Sequence, residues 1–140
     1  MSHPYRTGQF VWCRYPQRER PHKPGSKVRI GYVAITRQAA SGLVVALLYT
    51  TTRPLSPPLP LGVIPIDERQ AQAFGQNPFL IDARSVAVLP VTEEYFPHLA
   101  RADRGVQGEA SAGLTRKIKA MLADLHRRGV VIEVRGPKRP

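Results

Sequence analysis

The sequence predicts a mainly β, α+β chain: a small antiparallel barrel or half-barrel capped by a C-terminal amphipathic helix. Three observations predict it. The chain has about five or six short β-rich runs, few connections long enough for parallel crossovers, and one apolar stripe at helical spacing near its end. At 140 residues one domain is expected, since a second independent core would need more sequence. Hydrophobic residues, 42% of the chain, are spread along it, which allows a core rather than disorder.

Residues 9–15 form an apolar and aromatic run (Phe10, Val11, Trp12) that ends at Pro16, as a first strand would. The stretch 16–26 holds Pro16, Pro21, Pro24 and Gly25 among Arg18, Arg20, His22 and Lys23. Prolines at that density disfavour both helix and central strand, so a long basic loop is expected, of the kind that serves function or moves. Residues 28–36 and 43–51 are β-rich and flank a polar, glycine-containing turn over 37–42, which predicts an antiparallel hairpin. The second run, Leu-Val-Val-Ala-Leu-Leu-Tyr, is apolar on both faces and should be the central, most buried strand.

A second irregular loop, rich in proline over 52–60, leads into an apolar run at 61–66. Asp67 is placed to cap a short helix that runs to Phe74 and stops at Gly75. Residues 79–91 suit a further strand. Thr92, Glu93 and Glu94 suit another short helix start, limited by Pro97. Over 111–128 the clearest helix is expected, because Leu114, Ile118, Met121, Leu122 and Leu125 share one face and Gly129 supplies the stop. Residues 130–134 are expected as a last edge strand. The barrel domain therefore spans 8–129, with 130–140 adding that strand and a basic tail.

The formal net charge of +11 is concentrated at the two ends. Arg6, Arg14, Arg18, Arg20, Lys23, Lys27 and Arg29 face Glu19 alone over residues 1–30. Arg116, Lys117, Lys119, Arg127, Arg128, Arg135, Lys138 and Arg139 face only Asp124 and Glu133 over 114–140. A field of that sign attracts polyanions, nucleic acid first among them, although charge alone is equally consistent with a basic solubilising surface.

The single Cys13 excludes an internal disulfide framework and a multi-thiolate zinc site, and suits a reducing cytoplasm. A buried strand position is expected for it. His3, His22, His98 and His126 lack metal-ligand spacing, and no Walker loop, dinucleotide glycine pattern or His-Glu-x-x-His occurs, so neither metal nor cofactor is expected. Residues 1–8 are polar, and the longest apolar run, 43–49, is too short to cross a bilayer, so neither export nor membrane insertion is expected.

One rim of the predicted hairpin concentrates chemistry. The head of one antiparallel strand lies beside the tail of its partner, which brings Lys27 and Arg29 next to Thr50, Thr51, Thr52 and Arg53. A period of two puts Lys27 and Arg29 on one face. Guanidinium donors and hydroxyls gathered there could clamp a phosphodiester and its developing negative charge. An ordinary hairpin end rich in β-favouring threonines is the other reading of the same residues.

The order Gly8-Gln-Phe-Val-Trp, a Pro/Gly-rich loop, Lys-Pro-Gly-Ser-Lys-Val-Arg (23–29) opening a hydrophobic strand, and then Val-Val-Ala-Leu-Leu-Tyr-Thr-Thr resembles the MazF/PemK toxin family. The likeness covers roughly residues 8–125. It implies an SH3-like barrel and a metal-independent endoribonuclease toxin that cuts single-stranded RNA by 2′-hydroxyl attack, leaving a cyclic phosphate and a free 5′-hydroxyl. It assigns catalysis to Arg29, Thr50 and Thr51. Lys27, Arg53, His22, Arg20 and Asp82 would bind substrate, with Asp82 orienting the arginine or holding a base. It also implies a homodimer, an acidic antitoxin partner and a cytoplasmic location. Ile30 follows Arg29 where members commonly have proline, and the segment after Asp82 departs from the family pattern. The competing reading is a non-catalytic RNA- or DNA-binding barrel that keeps the basic surface without the chemistry. A third is a protein-interaction module whose charge serves solubility.

Overall fold

Seven strands and two helices make up the chain in a computed structural model that describes residues 3–53 and 55–138. Met1, Ser2, Pro54, Arg139 and Pro140 lie outside the described residues, and with them parts of the expected N-terminal segment, second loop and basic tail. The strands are β1 (Gln9–Cys13), β2 (Arg29–Ala39), β3 (Gly42–Thr51), β4 (Val63–Ile66), β5 (Phe79–Pro90), β6 (Val106–Glu109) and β7 (Glu133–Arg135). The helices are α1 (Glu68–Gln72) and α2 (Ala112–Arg127).

The strands form one mainly β sheet in the order β4-β5-β3-β2-β1-β6, with β7 also on β5. It is open, ending at β4 and β6. β3 is interior, between β2 and β5, but it is not the most buried strand: four of its ten residues are buried against four of five in β1, because one of its apolar faces is only half-covered. In the β2–β3 hairpin Ala39 pairs with Gly42, leaving Ala40 and Ser41 in the turn. Gly42 takes the positive φ of 129° that closes it.

Every recorded pairing is antiparallel except β5–β7, which is parallel. The connection from β5 to β7 includes α2, so it is long enough for a crossover that short antiparallel links do not allow. The final strand is Glu133–Arg135 rather than 130–134, and β6 is a strand the sequence pattern does not reveal. No helix forms at 92–94. A turn closed by Phe96 N–H to the Thr92 carbonyl (2.8 Å) takes its place, and Pro97 prevents a helical ladder from continuing.

Two apolar clusters hold the sheet. One joins Phe10, Tyr32, Leu48, Ile64, Ile66 and Ile81 to Phe74 and to Leu114, Ile118 and Leu125 of α2. Met121 and Leu122 are only partly buried against it. The other joins Val11, Cys13, Val33, Val45, Leu47 and Leu89 to Tyr5, Tyr95 and Phe96. Cys13 is fully buried there, the small hydrophobe its position predicts. Asp67 caps α1 in a capping box with Gln70, and Ser111 caps α2 by accepting from Leu114 N–H at 3.1 Å. Gly129, with φ of 66°, directly follows the Arg128 C-cap of α2 as expected, whereas α1 ends at Gln72 with Ala73 as its C-cap, short of the expected Phe74, and Gly75 (φ 65°) closes the turn beyond it.

One irregularity shapes the open end of the β2–β3 hairpin. The β3–β5 ladder steps from Leu48–Val86 directly to Tyr49–Asp82, so residues 83–85 have no partner on β3. An insertion of this kind bends the strand and re-aims its side chains. On its other edge β5 pairs with β4 up to Asp82 and with β7 from Ser85 onward, so the bend lies between two different neighbours.

Candidate functional site

The open end of the β2–β3 hairpin meets the bend of β5 in a groove of about 710 Å³. Lys27, Val28, Arg29 and Ile30 line it from the head of β2, and Tyr49, Thr50, Thr51, Thr52 and Arg53 from the tail of β3. Asp82 and Arg84 contribute from the bend, and Trp12, Leu55, Gln76 and Phe79 complete the wall. Lys27 precedes β2, so it reaches the groove from the loop and not by strand alternation.

Six of the eight residues singled out in the sequence therefore converge: Lys27, Arg29, Thr50, Thr51, Arg53 and Asp82. Arg20 and His22 do not line this groove. Arg20 sits exposed in turns closed by Arg20 N–H to the Gln17 carbonyl (3.1 Å) and Lys23 N–H to the Arg20 carbonyl (3.2 Å). His22 Nδ1 donates to the Gly136 carbonyl at 2.9 Å, and Gly136 N–H donates to the Pro21 carbonyl at 2.7 Å. The segment after β7 thus draws the loop to itself, and His22 lines a second groove of about 790 Å³ with Arg37, Val44, Val88 and Lys138.

Within the first groove the groups differ in what they have left to offer. One terminal guanidinium nitrogen of Arg29 donates to the Tyr49 phenol oxygen at 2.7 Å, and its Cζ lies 5.6 Å from the Tyr49 ring centroid. A guanidinium carries five N–H donors, so Arg29 keeps several for a ligand. Tyr49, accepting from Arg29, keeps its own O–H to donate. Thr50 is buried and its hydroxyl donates to the Ile30 carbonyl across the strand pair, which commits it to the fold. The Thr51 hydroxyl oxygen accepts from Arg53 N–H at 3.1 Å, leaving its O–H as a donor.

Asp82 does not orient Arg29. Its carboxylate is gripped by Arg84, from Nε at 2.9 Å and from a terminal nitrogen at 2.7 Å, with Arg84 N–H adding a third bond at 3.0 Å. Burial raises the Asp82 carboxyl, but the bonds and charge of Arg84 outweigh it and the charge of Arg135 adds to them, so the group lies below its ordinary value. Asp82 is a buttress for the bend and a weak proton acceptor. Lys27, Arg29 and Arg53 are left as the cations that give the groove its sign.

Trp12 brings an aromatic wall. Its indole N–H donates to Gln107 Oε1 at 2.9 Å, and Gln107 donates in turn to the Phe74 carbonyl at 2.6 Å, which fixes the ring. Sequence reasoning missed Trp12, Tyr49 and Arg84 as site residues, because the two aromatics sit in apolar runs that read as core. Arg84 carried a signal: a charge inside a long apolar strand marks a bend or a bulge. Among the described residues, no group of three or more His, Cys, Asp or Glu side chains is placed to hold a metal ion, and no helix is long and apolar enough to cross a membrane.

The chain matches no protein-family model, and comparison with curated proteins and with solved structures returns no match either.

Proposed function

We propose that the groove binds single-stranded RNA and cuts it, as an endoribonuclease toxin of the MazF/PemK type on an SH3-like barrel. The observation that carries this reading is the Arg29–Tyr49 pair beside Thr51 in a groove whose uncommitted charges are all positive. Phosphodiesters are drawn by Lys27, Arg29 and Arg53, and an unstacked base has Trp12 to lie against.

The reaction is attack of the ribose 2′-hydroxyl on the adjacent phosphorus. A P–O bond to the 2′-oxygen forms and the bond to the 5′-oxygen breaks, giving a cyclic phosphate and a 5′-hydroxyl. Arg29 takes up the negative charge that grows on the non-bridging oxygens, and Lys27 and Arg53 hold the neighbouring phosphates. The Tyr49 O–H protonates the departing 5′-oxygen, and the 2′-proton passes to water. Thr51 donates to the phosphate. The setting is cytoplasmic, the active form is a homodimer, and the regulating partner is an acidic antitoxin drawn to the same positive field.

A second reading, an RNA-binding module without cleavage, is favoured by one specific observation: the Thr50 hydroxyl and the Asp82 carboxylate both face partners inside the protein. Binding and cleavage measured on the same RNA separate the two. Salt-dependent binding with intact RNA selects the second, and salt-dependent binding with cut RNA selects the first.

A further inference from the structure

The groove's polar pair is supported from behind by a residue far away in sequence. Arg135, on β7, is not among the residues that line the groove, and its side chain is only 11% exposed. Its Cζ lies 5.8 Å from the Tyr15 ring centroid and 5.9 Å from that of Tyr49, and the two rings are 5.2 Å apart. Nε donates to Glu133 Oε1 at 2.5 Å and a terminal nitrogen donates to the Pro16 carbonyl at 2.9 Å. Tyr15 is tied in turn to Ser85 through its hydroxyl at 2.9 Å.

We infer that Arg135 is a positioning residue for the Tyr49–Arg29 pair, so that the C-terminal strand is part of the groove's machinery. This rests on the cleavage reading above for its kinetic consequence, though not for its structural one. The reason lies in the bend of β5. Tyr49 pairs with Asp82 at the step where the β3–β5 ladder skips residues 83–85, so the regular run of cross-strand neighbours breaks off beside it. Tyr15 and Arg135 occupy that place. β7 pairs with β5 at Ser85–Ala87, starting from the last of the skipped residues, and so delivers Arg135 to the ring.

A guanidinium suits the task better than an ammonium. Its plane lies against aromatic rings while its fork bonds in several directions at once, here to Glu133 and Pro16. With the Tyr49 ring fixed, its phenol oxygen fixes Arg29, which donates to it. Arg135 touches no substrate in this scheme. It acts through Tyr49.

Arg135→Met and Arg135→Lys, compared with wild type, test the inference. The methionine keeps an unbranched apolar stem, and the lysine keeps the charge without the fork. In Arg135→Met, nuclear magnetic resonance should show shifts at the Tyr15 and Tyr49 rings and at the Arg29 side-chain N–H, with the Trp12 indole N–H unmoved. RNA cleavage should fall about tenfold in kcat with KM changed less than about twofold, and the lysine should restore only part of it. Shifts spread over the whole molecule would mark general unfolding, in which case Arg135→Lys decides alone: a native spectrum with an unmoved Arg29 resonance would overturn the inference. So would an unmoved Arg29 resonance in a folded Arg135→Met. If wild type fails to cut RNA, the cleavage reading falls, and the resonance shifts still decide whether Arg135 positions the pair.

Discussion

Arg29 and Tyr49, twenty positions apart on paired strands, are joined by a guanidinium-to-phenol hydrogen bond of 2.7 Å at the mouth of the groove. The bond uses one donor of the arginine and one lone pair of the tyrosine, so both keep a proton to offer. Arg29→Ala should lower RNA cleavage about a hundredfold or more, because the charge acts on the transition state more than on stability. Circular dichroism and thermal unfolding should show a native fold. Near-normal cleavage by the folded variant would remove Arg29 from the site.

The two threonines should separate. Thr50 donates to the Ile30 carbonyl from a buried position, so Thr50→Ala should cost about 1 kcal/mol of stability, read by denaturant titration. Thr51 faces the groove, so Thr51→Ala should leave stability within about 0.5 kcal/mol while lowering cleavage. Equal losses of activity at unchanged stability would mean that Thr50 also reaches the phosphate.

Asp82 should make stability fall on the acid side. Its carboxyl lies below the ordinary value in the folded chain, so its contribution is complete above the unfolded value, about 3.9, and is lost as pH falls through the lower folded value. Asp82→Asn should therefore be less stable than wild type at neutral pH, and the gap should close in acid. Denaturant unfolding at pH 7 and near pH 3 checks this, and a gap that persists in acid would show that the charge of Asp82 is not what Arg84 responds to.

Most of the site was legible because it depends on local patterns. The hairpin reads from β-branched runs around a glycine turn, and antiparallel pairing brings the head of β2 to the tail of β3, where Arg29, Thr50 and Thr51 line one groove. What was not legible depends on partners distant in sequence. Val-Gln-Gly-Glu (106–109) has one large apolar residue and becomes β6 because β1 offers an edge. Arg135 sits in what reads as a basic tail, and only its pairing with β5 carries it to Tyr15 and Tyr49. The same segment pulls His22 away from the groove, which no pattern within residues 16–26 foretells.

Self-association should accompany RNA binding. The sheet is open at β4 and β6, and open edges favour pairing with a second copy. Light scattering at rising concentration should approach twice the 15.6 kDa chain mass. A monomer at every concentration would contradict it.

End-group analysis of a long single-stranded RNA incubated with the purified protein in chelator decides whether the groove cuts RNA by 2′-hydroxyl attack. Wild type should produce fragments that end in a 2′,3′-cyclic phosphate and begin with a 5′-hydroxyl, and Arg29→Ala should not. RNA that stays intact while binding tightly, or fragments that begin with a 5′-phosphate, would contradict it.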